Sequence, residues 1–257
     1  MRARAALVLL LLTAAAPVPK PPPSPHLVAK AQDVAEQLTM LAFDANPLWS
    51  IPAREALSRW VGPMRVFVFG RADDRADAQA ALRLLARSTA LRLRVIAESE
   101  VATAPPNAFV VADENLTGAF RGPLRDMLRH AFLDDEPAID GFIRDVVDAV
   151  PCWALPVWTD PTRRVLKAAL IGVDARRPRA ETRACILRGL GAGLGLMGPG
   201  AFLPGSAFAP GAAARLSRED ERMLRVLYGK ALQPGMRRED AQAAALKALK
   251  TPAAKKK

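Results

Sequence analysis

Two periodicities in the hydrophobic positions divide the chain into helices and strands. Apolar residues recur every three or four positions in LVAKAQDVAEQLTMLAF, and DRADAQAALRLLARS has the same amphipathic spacing after an acidic N-cap at Asp73 or Asp74. Spacing and capping signals together predict helices over residues 27–43, 53–60, 74–88, 179–196, 216–229 and 237–250. The helix from 216 opens on Ser217, three residues before Asp220, which is close to a capping box.

Strand patterns occupy stretches between these helices. MRVFVFG (64–70) alternates and ends at a glycine, and LRLRVIA (91–97) alternates strictly at its start. Two further apolar runs predict strands over 107–113 and 163–174, whereas PCWALPVW is interpreted as a proline-rich turn. The order strand, helix, strand, strand predicts an α+β fold in which a mixed sheet carries a helix on one face.

The N-terminus adds a prediction about location. MRARAALVLLLLTAAAP has two arginines, a short apolar run and then small residues, which is the pattern of a secretory signal. We predict a signal peptide over residues 1–16, cleaved between Ala14 and Ala16, and a proline-rich spacer over 17–26. No later segment is long and apolar enough to span a membrane. The mature protein is therefore expected to be secreted, with the periplasm as its location.

The rest of the chain is expected to form one domain, residues 27–249, followed by a basic, disordered tail over 250–257.

The formal charge of +11 suggests a nucleic-acid partner, but its distribution does not support one. Seven of the basic residues lie in the predicted signal and in the last eleven residues, and the remainder carries only +4. No basic stripe is interleaved with aromatic residues, so we expect no nucleic-acid partner.

Two cysteines, Cys152 and Cys185, lie in the predicted mature chain. An even count in an exported protein favours one disulfide bond, and two buried free thiols are the alternative. A disulfide would close a loop of about 32 residues, which contributes on the order of 3 kcal/mol in the chain-entropy model.

The stretch ACILRGLGAGLGLMGPG (184–200) has six glycines among seventeen residues. Residues 193–198 fit G-x-G-x-x-G, which binds dinucleotide phosphates where it follows a strand and opens a helix. Here the glycines follow the helical segment ETRACILRGL, so they would lie at a helix C-terminus, where the dipole repels anions. We therefore expect no nucleotide cofactor.

The register of CILRGLGAGLGL resembles the active helix of metzincin-type zincin metallopeptidases, H-E-x-x-H-x-x-G-x-x-H. In that register the three zinc-ligand positions hold Arg188, Ala192 and Gly198, the general-base position holds Gly189, and Gly195 matches the turn glycine. Arginine, alanine and glycine supply no donor atom to zinc. The resemblance therefore implies a degenerate helix, with no metal and no zinc-dependent catalytic residue. A close-packed helix of small residues is compatible with the same pattern.

The other catalytic candidates have little support. The chain has two histidines: His26 lies in the spacer, and His130 is isolated. Ser206 lacks the G-x-S-x-G frame of a nucleophile elbow, and a Ser-His-Asp triad would have His130 as its single candidate base. We expect a protein without catalytic residues, a pseudoenzyme.

A longer series of segments carries a wider resemblance: RW, MRVFVFG, PCW, VLKAALIGVD, CILRGLGAGLGL, LSREDERMLRVLYG and LQPGM, in this order. The series resembles an exported bacterial family known only as a domain of unknown function (2927), over residues 49–245. The resemblance implies a zincin (metzincin)-like mixed sheet with packed helices, and a bridge from Cys152 of PCW to Cys185 of the helix. It implies no known activity.

These inferences favour binding over catalysis. A zincin cleft holds an extended peptide against a sheet edge, and that geometry can persist without catalytic ligands. We expect a module that binds a peptide or a protein of the cell envelope. One alternative is a hydrolase with a non-zinc site in the same cleft, built from Arg188 and an acid of residues 134–140, or from a base beside Ser206. Another is a structural protein whose cleft is filled.

Overall fold

The computed structural model describes residues 29–158 and 165–251. The strands are β1 (Arg59–Trp60), β2 (Met64–Phe69), β3 (Leu93–Val95), β4 (Ala108–Asp113), β5 (Cys152–Trp158) and β6 (Val165–Asp174). The helices are α1 (Ala31–Phe43), α2 (Ala72–Thr89), α3 (Leu116–Arg121), α4 (Arg125–Phe132), α5 (Glu136–Phe142), α6 (Arg179–Gly193), α7 (Arg218–Leu227) and α8 (Arg238–Lys250). The predicted signal peptide, the spacer and residues 252–257 of the predicted tail lie outside the described residues. Within the described ranges, no helix is long and apolar enough to cross a membrane.

The strands form one mixed sheet, which confirms the predicted α+β class. β3, β2, β4 and β6 lie side by side in that order and are parallel. β5 runs antiparallel to β6 and forms the edge of the sheet beyond it. The two-residue β1 pairs with the start of β6, where Arg59 lies opposite Val165.

Helices cover both faces of this sheet, rather than the one face predicted. α6 packs against β5 and β6 on one face, together with α2. On the other face the indole of Trp153 makes edge-to-face contacts with Phe120 of α3 and Phe142 of α5. Since both faces are covered, the central strands are apolar on both sides, as the sequence VLKAALIGVD of β6 shows.

Most predicted elements are present with shifted ends, but residues 53–60 are not the predicted helix. They form an extended loop that ends in β1. The backbone N–H of Leu57 donates to the carbonyl of Met236 at 2.8 Å, and its carbonyl accepts from Gly235 at 2.9 Å. This segment therefore satisfies its backbone groups with a distant part of the chain, which local helical spacing does not reveal.

Two smaller predictions are also wrong. The N-cap of α2 is Arg71, not Asp73 or Asp74, and the Asp74 carboxylate accepts from the backbone N–H of Arg71 at 2.8 Å. PCWALPVW is strand β5 and not a turn. Pro156 is tolerated within β5 because an edge strand does not need every N–H for pairing.

A disulfide joins Cys152 of β5 to Cys185 of α6, which confirms that prediction. The two Cα atoms are 5.6 Å apart, and both residues are buried. The bond therefore fixes the edge of the sheet to the glycine-rich helix. The two residues are 33 positions apart in the chain.

Removal of this disulfide is expected to destabilise the protein by about 3 kcal/mol, because the unfolded chain loses a closed loop of this length. The Cys152→Ala/Cys185→Ala variant tests this in urea denaturation, with the reduced parent protein as its control. A stability equal to that of the oxidised parent would contradict the structural role of the bond.

Candidate functional site

The glycines of α6 allow the helix to pack closely against its neighbours. A Cβ atom at Gly189 would lie 2.5 Å from Cγ2 of Ile171 in β6. A Cβ at Gly191 would overlap the ring of Phe208. The glycine-rich pattern is thus explained by close packing of small residues.

Gly195 and Gly198, which follow the helix, contact backbone rather than side chains. Gly195 has φ +110°, and a Cβ there would lie 2.5 Å from the carbonyl oxygen of Ser58. The N–H of Gly198 donates to the carbonyl of Leu41 at 2.7 Å, and a Cβ would lie 2.6 Å from the carbonyl oxygen of Met40. The position that corresponds to the third zinc ligand therefore has no room for a side chain.

The five positions of the metzincin register separate in space. Arg188 and Gly198 line a common cavity of about 150 Å³. Ala192 is fully buried, Gly189 faces β6, and Gly195 faces the loop before β1. Within the described ranges, no three His, Cys, Asp or Glu side chains are grouped to hold a metal. The five register positions do not fit a zinc ion, because their side chains offer no donor atom and space for one side chain is missing.

A larger cavity of about 590 Å³ lies between α6 and the loop 207–215. The disulfide, Val173 and several alanines of α6 and of the loop form its apolar walls. Its charged residues are four arginines and two acids: Arg177, Arg183, Arg188, Arg215, Asp174 and Glu181. Arg188 lines both this cavity and the smaller one, so it lies where the two meet.

Both acids of the larger cavity have arginine partners. Asp174 accepts two hydrogen bonds from Arg176, each of 2.9 Å, and these hold the pKa of Asp174 below its ordinary value. Glu181, in the first turn of α6, lies 3.9 Å from Arg177, which precedes the helix. Neither acid forms an ion pair with Arg188.

The side chain of Arg188 is half-buried and has no ionic partner within the described ranges. Its Nε atom is buried without a hydrogen-bond partner, and burial lowers the pKa of the guanidinium. Its Cζ atom lies 5.7 Å from the centroid of the Trp49 ring, which is a cation–π distance. The site therefore presents a desolvated cation that rests on an aromatic face.

A short closed turn holds Trp49 in place. Asn46 and Ile51 exchange backbone hydrogen bonds of 2.8 and 3.0 Å, and the Asn46 amide donates to the carbonyls of Met197 and Gly198. The indole N–H of Trp49 donates to the carbonyl of Cys152 at 2.8 Å. This contact fixes the ring between the edge strand and Arg188.

The edge of β5 is covered where Trp49 contacts it. Trp153 and Ala154, the next residues of the strand, have no exposed surface. An extended peptide cannot add to this part of the sheet as a further strand while residues 47–51 keep this position. The accessible part of the site is the cavity beside α6.

Ser206 does not form a nucleophilic site. It is fully buried, and its hydroxyl donates to the carboxylate of Asp220 at 2.5 Å. The same carboxylate accepts from the backbone N–H of Ala207 and of Ser217, and Ser217 caps α7 as predicted. These bonds connect the loop 207–215 to α7, so the role of Ser206 is structural.

The acidic residues 134–140 lie away from Arg188, and none of them lines either of its cavities. Glu136 accepts from Arg125 at 2.5 Å and from Arg129 at 2.7 Å, and these bonds lower the pKa of Glu136. Asp140 accepts from Arg125 at 2.7 Å. The structure thus does not bring Arg188 together with an acid of this segment.

Sequence patterns singled out neither Trp49 nor the loop 207–215. The loop sequence AFAPGAAAR indicates an irregular segment of small residues, but not which helix it covers. Trp49 follows Pro47 in a segment without periodicity, so only its position in the fold reveals its contact with Arg188.

A family model described as a protein of unknown function (DUF2927) matches residues 33–247. The chain belongs to the DUF2927 family. The matched range contains α6, both cysteines, Trp49 and the loop 207–215, so both cavities are built within the DUF2927 region. No curated protein and no solved structure matches the chain.

Gly198→Ala is expected to destabilise this DUF2927 protein by about 2 kcal/mol or more, because the added methyl group meets the backbone of α1. The matched control is Gly141→Ala in α5, where the nearest atom to the new Cβ is the end of the Arg144 side chain at 3.8 Å. There alanine is expected to stabilise the helix by about 0.5–1 kcal/mol. Urea denaturation of both variants measures the difference, and an equal effect would contradict the close contact at Gly198.

Proposed function

We propose that this DUF2927 protein is a non-catalytic, zincin-like module that binds a peptide or a protein of the cell envelope. The observation that carries the proposal is the 590 Å³ cavity beside α6, with apolar walls and a small number of charged groups. Small-ligand and peptide-end sites have this composition, because apolar walls supply affinity and a few polar groups supply orientation.

The zincin-like part of the proposal is supported by the order of the elements. An antiparallel edge strand, β5, precedes the parallel strand β6, and the glycine-rich helix α6 follows and packs across both. α7 comes next, and its sequence REDERMLRVL is similar to the helix that follows the active site in metzincins. The sequence resemblance to metzincins implies that a peptide binds in a cleft beside this helix.

The non-catalytic part rests on the chemistry of the side chains that reach the cavity. Asp174 and Glu181 have arginine partners, and the buried Ser206 hydroxyl donates its hydrogen bond to Asp220. Arg188 keeps its proton near neutral pH and cannot serve as a general base. The cavity can bind and orient a ligand, but among the described residues it has no free acid or base to act on it.

The envelope location is supported by two features. The N-terminal sequence has the pattern of a secretory signal. The Cys152–Cys185 disulfide is of the kind that persists in oxidising compartments such as the periplasm.

The binding proposal predicts that the mature protein, residues 17–257, enriches members of a random hexapeptide library. Ala184 lines the cavity, so Ala184→Trp is expected to fill the space and reduce the enrichment at least about tenfold. Ala243 is exposed on α8, and Ala243→Trp is the control that is expected to bind like the parent. Thermal melting shows whether each variant is folded.

Two outcomes contradict this proposal. Enrichment that survives Ala184→Trp would place the binding elsewhere on the molecule. Stoichiometric zinc in the purified protein, together with cleavage of library peptides, would indicate a peptidase and overturn the non-catalytic part.

A further inference from the structure

Arg188 is an uncompensated charge in a packed part of the protein. Its Nε is buried and unpaired, and its guanidinium forms no ion pair within the described ranges. Removing a cation from water without a partner is unfavourable, and it is tolerated where a ligand completes the pairing. The protein is therefore less stable when this guanidinium is unpaired than when an anion pairs with it.

The position of this cation is set in advance. The disulfide of Cys185 anchors α6 one turn before Arg188, and the ring of Trp49 lies beside the guanidinium. The hydrogen bond from Trp49 to Cys152 holds that ring in turn. A ligand that meets a group already held in place loses less conformational entropy on binding.

The pairing of the other charged groups around the cavity favours an anionic ligand over a cationic one. Asp174 is occupied by Arg176, Glu181 by Arg177, and Arg183 lies 3.2 Å from Asp77. Arg215, on the loop that faces α6, has no ion pair within the described part of the chain. Arg188 and Arg215, which have no acid partner among the described residues, thus line one cavity.

The size and the walls of the cavity favour a peptide end over a bulky anion. A volume of about 590 Å³ accommodates a few residues, but not a folded domain. The walls are alanine methyl groups and a disulfide, which suit small apolar side chains. A planar guanidinium matches a carboxylate with two parallel hydrogen bonds.

We infer that the cavity beside α6 recognises a free carboxylate, the C-terminal end of a peptide, and that Arg188 is the residue that binds it. This inference rests on the proposed peptide binding and names the chemical group that is recognised. Arg188 acts here in binding only, because no bond is formed or broken.

Two hexapeptide libraries that differ only at their C-terminus, free carboxylate against amide, test the inference on the mature protein. The carboxylate library is expected to be enriched at least about tenfold over the amide library, since a lost charge-assisted hydrogen-bond pair changes Kd by roughly this factor or more. Excess inorganic phosphate in a parallel selection distinguishes a carboxylate site from a general anion site, and it is expected to leave the enrichment in place.

The variant Arg188→Met keeps an unbranched, flexible side chain and removes the charge. It is expected to lose the preference for the carboxylate library, while its melting temperature equals or exceeds that of the parent, because a half-buried charge without an ion-pair partner among the described residues is gone. Arg183→Met is the matched control, since Arg183 lines the same cavity but pairs with Asp77. It is expected to retain the preference within about twofold.

The outcomes separate this inference from the proposed function. If the folded parent enriches both libraries equally, the result supports peptide binding but contradicts recognition of the C-terminal carboxylate. Loss of the enrichment in phosphate overturns the assignment to a peptide end. Absence of enrichment from either library overturns both proposals. If Arg188→Met retains the preference for the carboxylate library, the assignment of carboxylate binding to Arg188 is wrong.

Discussion

The close approach of α6 to the sheet determines how the rest of the site is arranged. It is possible because Gly189 and Gly193 leave space for Ile171 and Ala169 of β6. A side chain at Gly189 would collide with Ile171, and one at Gly193 would be crowded against Ala169. The disulfide from Cys185 to β5 fixes the same approach covalently. With one side of the helix held against the sheet, the residues on its other side, Arg188 among them, line the cavity.

The same packing explains why the helix does not have the features of a metal site. A ligand helix must direct side chains from several turns toward one point, and here the successive positions diverge. Gly189 meets β6, Ala192 is enclosed, and Gly198 contacts the backbone of α1. The turn that carries Trp49 lies against β5, where an extended peptide would otherwise pair. What remains accessible is the cavity between α6 and the loop 207–215.

Arg188 is the residue at which the stability of the free protein and the proposed binding oppose each other. Its guanidinium has a cation–π contact with Trp49, but no carboxylate within the described residues balances its charge. Such a residue contributes little to the stability of the free protein and is retained at a cost in desolvation. Its position beside an apolar cavity connects that cost with the proposed recognition of a carboxylate.

The sequence by itself determined the elements whose signals are local. The helical period and the capping pair Ser217 and Asp220 predicted α7, and alternation that ends at a glycine predicted β2, because these patterns depend on neighbouring residues. It also determined that Arg188, Ala192 and Gly198 cannot hold zinc, since donor chemistry belongs to the residue type. Only the tertiary structure decided that PCWALPVW is a strand and that residues 53–60 are not a helix, because β6 and residues 235–237 supply their hydrogen-bond partners. It alone decided that Arg188 has no acid partner among the described residues, because the pairing of a charge depends on residues that only folding brings together.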